Sequence, residues 1–141
     1  MSAKKKILIV TDGSVSINLI AKLIEAALAE YSVKICPAGK FRGTDLLPAE
    51  VFFLGCMSPE PESFSELALI LKHINLASRK CGIFSTSNKA ASWLKKILKD
   101  SEADTGEALI APPDIKAAGV KKWVIKFLPV IKPEVKTKKR R

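Results

Sequence analysis

Three short polar stretches hold the residues with which this chain could do chemistry. The first is Thr11-Asp12-Gly13-Ser14-Val15-Ser16, the second Cys56-Met57-Ser58, and the third Thr86-Ser87-Asn88. A hydroxyl-bearing turn that opens a helix offers unpaired backbone N–H groups to an anion, and the helix dipole favours negative charge there. Asp12 and Ser14 also have an ordinary use, which is to shape the turn and cap the helix. Cys56 is placed for a reactive thiol, but such a thiol needs a base. His73 is the only histidine, and it falls near the far end of its helix. Nucleophilic catalysis is therefore poorly supported. Cys36, Cys56 and Cys81 cannot all pair within one chain and are too widely spaced for a zinc clip. They read as buried reduced thiols in strands. Glu60 and Glu62 flank Pro61 and read as a solvated rim. No Walker loop, G-x-G-x-x-G or H-E-x-x-H is present.

The elements that must position these stretches follow from the pattern of apolar residues. Residues 5–11 form an apolar β-rich run without alternation, the mark of a strand buried on both faces. Ile17, Ile20, Ala21, Ile24, Ala27 and Leu28 then recur at helical spacing, with Ser14 or Ser16 as N-cap. Further strands are expected at 32–36, 51–56, 80–85 and 107–111. A second helix starts near Ser63 or Ser65 and carries Leu67, Leu71 and Ile74. A third is capped by Thr86, Ser87 and Asn88. A last one runs from about Lys116 to Leu128, with Val120, Trp123, Val124 and Phe127 on one face. Trp93 and Trp123 fall on apolar helix faces and read as packing residues. Pro37, Gly39, Gly43 and Pro48 punctuate the stretch 37–49, so no helix longer than one turn is expected there.

Strands alternating with helices imply an α/β three-layer sandwich around a five-stranded parallel sheet in the order 2-1-3-4-5. A ligand is then expected outside the carboxyl ends of strands one and three, where the strand order reverses. Three loops that contain the polar stretches, Thr11–Ser16, Cys56–Glu62 and Thr86–Lys89, would line that crevice.

The residues that carry a family likeness are these same stretches. ILIVTDGSVSINLIAKLIEAAL resembles the phosphate-binding strand, loop and helix of flavodoxins. VFFLGCMSPEPESF resembles their second loop, and NLASRKCGIFSTSN the segment entering the fourth strand and third loop. The resemblance spans roughly residues 4–128. It implies a flavodoxin-like fold, an FMN cofactor, electron transfer and a redox partner protein. It implies an FMN phosphate on the backbone of Gly13–Ile17, with Ser14 and Ser16 as donors. Amides of Cys56–Ser58 and Thr86–Asn88 would then face the ring edge, with Met57 as a soft packing partner. The chain departs from the flavodoxin pattern at Ile17, which has no hydroxyl, and at Asp12, whose carboxylate would face the phosphate. Neither the second nor the third loop has an aromatic residue.

A weaker likeness is to response-regulator receivers. KKILIVTDGS resembles their opening, but only Asp12 remains of the acidic pair. FFLGCMSP resembles the phospho-acceptor strand, but Gly55 stands at the acceptor position. The thirteen residues 37–49 also leave no room for the full helix a receiver has there. The flavodoxin likeness is favoured. The alternatives left open are a flavodoxin-like module without cofactor and a degenerate receiver, each acting by protein or polyanion contact.

At 141 residues with 48% apolar side chains, the chain can bury a core without disulfides or metal. Its net charge of +10 is uneven. Lys4–Lys6 carry +3 and the last ten residues +5, which leaves +2 for residues 7–131. The expected division is a domain over 1–131 and a basic flexible tail over 132–141 that contacts nucleic acid or an anionic surface, or aids solubility. No apolar run reaches the roughly 18 residues of a membrane span, and no signal-peptide core follows the basic start. A cytoplasmic protein is the expectation.

Overall fold

The computed structural model of the protein describes residues 6–40, 51–77, 79–111 and 115–127. Strand β1 (Lys6–Thr11) leads into helix α1 (Val15–Ala27), and β2 (Ser32–Pro37) follows. After β3 (Val51–Gly55) a 3-10 turn over Glu62–Phe64 enters α2 (Ser65–His73). Then come β4 (Lys80–Ser85), α3 (Asn88–Leu98), β5 (Leu109–Ile110) and α4 (Ala117–Val124). The strands form one sheet in the order β2-β1-β3-β4-β5, and every pairing is parallel. This is the expected sheet and order. The expectation for 37–49 falls largely on residues 41–50, outside the described residues. The part described, Ala38–Lys40, is a single 3-10 turn.

The sheet separates two cores. On one face Leu8, Phe52, Leu54 and Ile83 pack against α2 and α3 through Leu67, Leu71 and Leu94. On the other Ile7, Ile9, Phe53 and Phe84 pack against α1 and α4 through Ile17, Ile24 and Trp123. Alternate residues of the central strands thus feed opposite layers, which is why those strands are apolar throughout. Burying one such side chain contributes about 1.5–3 kcal/mol. Two glycines set how closely the central strands pack. Phe53 pairs with Gly82 across β3 and β4, and Gly55 pairs with Phe84. A Cβ on Gly82 would run into the Phe53 ring, and one on Gly55 into the Phe84 ring. Trp123 stacks edge-on to Phe53 with ring centroids 5.5 Å apart. Trp93 packs at 6.0 Å from Phe64.

Element ends differ most from the sequence reading at β5 and α4. Strand β5 has two residues where five were expected. The Glu107 carbonyl is taken by the Trp123 indole N–H at 2.8 Å, so this segment is tied to α4 before it reaches the sheet. Helix α4 tightens into a 3-10 turn over Ile125–Phe127. Of the two serines expected to cap α1, Ser14 does so. Helix α2 starts at Ser65, as expected, and continues from the 3-10 turn with Phe64 in the cap position.

Candidate functional site

The carboxyl ends of β1, β3 and β4 deliver the three loops to one edge of the sheet, and hydrogen bonds tie the loops together. Asp12 begins the first tie. Its Oδ1 accepts the backbone N–H of Ser14 at 2.9 Å and the Ser14 hydroxyl at 2.7 Å. Its Oδ2 accepts the backbone N–H of Met57 at 2.8 Å, which joins the first loop to the second. Gly13 turns with φ +85, a conformation that L side chains rarely adopt. The buried Thr11 hydroxyl accepts the Gly13 N–H at 3.4 Å. Ser14 sits in extended conformation, and its Oγ accepts the Ile17 N–H, capping α1. Asp12 and Ser14 thus shape the turn and cap the helix. Val15 and Ser16 are exposed at the first turn of α1, where helix geometry leaves their N–H groups without an intrahelical partner.

The second tie uses a residue that the sequence reading did not single out. Ser85, the last residue of β4, is fully buried. Its hydroxyl donates to the Cys56 carbonyl at 2.6 Å and accepts the Ser87 N–H at 3.0 Å, joining the second loop to the third. The signal was there in the sequence, a hydroxyl at the end of an otherwise apolar buried strand. Ser87 then caps α3 by accepting the Ala90 N–H at 3.3 Å. Thr86 and Asn88 are exposed beside it, as are Met57 and Ser58 in the second loop.

Cys56 is buried immediately after β3. Burial, and then the nearby Asp12 charge, push its thiol up to about 12. It stays a neutral thiol at ordinary pH and is no nucleophile. His73 ends α2 as an exposed residue. Cys36 and Cys81 are buried within β2 and β4. No group of three or more potential metal ligands occurs among the described residues.

A cleft of about 530 Å³ opens beside these loops. Its walls are Leu19, Ile20, Leu23 and Ile115, and Ser16, Thr86 and Lys22 bring polar groups to it. The apolar walls suit a flat ring system, and the two hydroxyls suit a polyol chain. The first loop does not suit a phosphate. Asp12 already holds the Ser14 and Met57 N–H groups and the Ser14 hydroxyl. Ser14, the donor that a flavodoxin likeness implies, is thus engaged by Asp12 through both its N–H and its hydroxyl. Ser16 lines the cleft, and the Met57 N–H is engaged by Asp12. Gly55 stands where a receiver has its phospho-acceptor, and a Cβ there would run into the Phe84 ring.

No family profile matches the chain, and no curated protein matches it in sequence. Solved structures do match it. A short-chain flavodoxin associated with a bacterial microcompartment superposes with a TM-score of 0.76 at 11% identity, over 88% of this chain and 96% of that one. Oxidised flavodoxin 2 from Bacillus cereus matches with a TM-score of 0.75 at 19% identity, over 88% and 98%. The flavodoxin of Fusobacterium nucleatum, bound to flavin mononucleotide, matches with a TM-score of 0.71 at 12% identity, over 91% and 99%. With its 2-1-3-4-5 parallel sheet and three tied loops at the carboxyl edge, this chain has the flavodoxin-like fold.

Proposed function

We propose that the protein binds a flavin at this crevice and transfers electrons to a partner protein. The observation that carries the reading is the convergence of the three loops at the strand-order reversal of a flavodoxin-like sheet. FMN is the flavin held by the compared Fusobacterium nucleatum protein. A bound flavin would supply the redox chemistry, and the protein would bind and orient it. Leu19, Leu23 and Ile115 would exclude water from one side, and Ser16 and Thr86 would hydrogen-bond the polar chain. The three buried free thiols suit a reducing compartment, and the cytoplasm is the compartment we propose. The test is visible absorption and flavin fluorescence on protein loaded with FMN or riboflavin and then desalted. Retained flavin bands with quenched fluorescence are expected. A colourless protein that quenches neither flavin would overturn the reading.

A second reading, a module without cofactor that works by protein contact, is favoured by one observation. Val15, Leu19 and Met57, all on elements bordering the crevice, are 77%, 62% and 43% exposed. The same spectra decide between the two. We also propose that residues 132–141 are a basic tail outside a domain of residues 1–131, touching nucleic acid or another polyanion. That tail lies outside the described residues.

A further inference from the structure

We infer that Asp12 is a built-in anion that shuts the phosphate seat of the first loop, so that this crevice selects an unphosphorylated, hydroxyl-bearing flavin such as riboflavin over FMN. The inference rests on the flavin reading for its ligand class, but the exclusion of phosphate stands on geometry alone. A phosphate held at such a turn uses the backbone N–H groups and hydroxyls of the loop. Here the Asp12 carboxylate takes two of those donors, Ser14 N and Ser14 Oγ, and also Met57 N of the second loop, at 2.7–2.9 Å. Hydrogen bonds to an ionised carboxylate are among the stronger ones, and a ligand must break them to take their place. The N–H groups of Val15 and Ser16 remain, but they directly follow Ser14. An anion seated on them meets the Asp12 charge. The cation lining the cleft, Lys22, is exposed and lies 3.8 Å from the Glu25 carboxylate, which offsets part of its charge.

A neutral hydroxyl meets the opposite situation. A carboxylate has about four acceptor positions, and three are engaged here. The remaining one is on Oδ2, the oxygen shared with the second loop. It can accept a hydroxyl of an uncharged polyol chain, where it would repel a phosphate. One carboxylate therefore disfavours the phosphorylated ligand and favours its unphosphorylated form.

The experiment compares wild-type protein with Asp12→Asn and Asp12→Thr, two variants of different shape that both remove the charge. Thermal unfolding is followed with inorganic phosphate against chloride at equal ionic strength. Binding of FMN and of riboflavin is followed by fluorescence quenching. Phosphate should raise the melting temperature of the variants and leave the wild type unchanged. The wild type should bind riboflavin about tenfold more tightly than FMN, and the variants should bind FMN about tenfold more tightly than the wild type does, the scale of one removed charge contact. Equal stabilisation of all three proteins by phosphate would overturn the inference, as would wild-type protein that prefers FMN. In the latter case the flavin reading stands. Phosphate stabilisation confined to the variants, with no flavin bound by any of the proteins, overturns the flavin reading and its ligand class while the exclusion of phosphate holds.

Discussion

Ser14 does two things with one hydroxyl: it donates to Asp12 and accepts from the Ile17 N–H. Ser14→Ala removes both bonds and leaves the first turn of α1 uncapped. A loss of about 1 kcal/mol is expected, the usual cost of a serine cap, measured by urea unfolding. An unchanged midpoint would mean that the cap contributes nothing. The buried cysteines make a second prediction at this scale. Burial raises the Cys56 thiol from its ordinary 9.0 to about 12 and holds Cys81 well above its ordinary value. In the unfolded chain both ionise near their ordinary values, while the folded protein keeps the protons. The unfolded state is therefore favoured as pH rises. Their contribution to stability is intact below about pH 9 and declines between there and pH 12. Unfolding free energies at pH 8 and 10.5 should differ, and by less in Cys56→Ala. The sequence allowed two roles for Asp12 and Ser14, turn shaping or anion binding. Only the Met57 N–H, 45 positions away, decided for a carboxylate already engaged.

At the scale of elements, the close packing of β3 against β4 depends on two missing side chains. Gly82→Ala puts a methyl group into the Phe53 ring and near the Trp123 ring, and Gly55→Ala puts one into the Phe84 ring. Each should cost about 1–3 kcal/mol, the usual cost of overpacking a filled core, read by urea unfolding. Phe53→Leu should relieve much of the Gly82→Ala loss, because the two positions are paired across the strands. Strict additivity of the two substitutions would show that the ring does not press on that glycine. The strands themselves were legible as apolar runs bounded by Pro, Gly and polar residues. The two-residue length of β5 was not. The indole bond from Trp123 to the Glu107 carbonyl spans 16 positions and leaves no local mark.

For the whole molecule, charge and fold are separable in the sequence. Removing residues 134–141 takes away five cations and Glu134. The melting temperature should stay nearly constant, since surface charges contribute within about 0.5 kcal/mol. Binding to heparin or to a nucleic acid should fall, and the salt dependence of that binding should flatten. Equal affinity with and without the segment would leave it no role in polyanion contact. Among the described residues no helix is long and apolar enough to cross a membrane.

The sequence by itself determined the alternation of strands and helices, the strand order, the three loops and the cap on α3. These depend on local periodicity, turn residues and chain connectivity, all of which can be read along the chain. The tertiary structure alone decided that Asp12 reaches the second loop, that Ser85 ties the second loop to the third, and that Phe53 and Phe84 lie over glycines of neighbouring strands. Each of those contacts joins residues 29 or more positions apart, apart from the Ser85–Ser87 bond within the third loop. Their partners come together only when the parallel sheet brings the carboxyl ends of its strands to one edge.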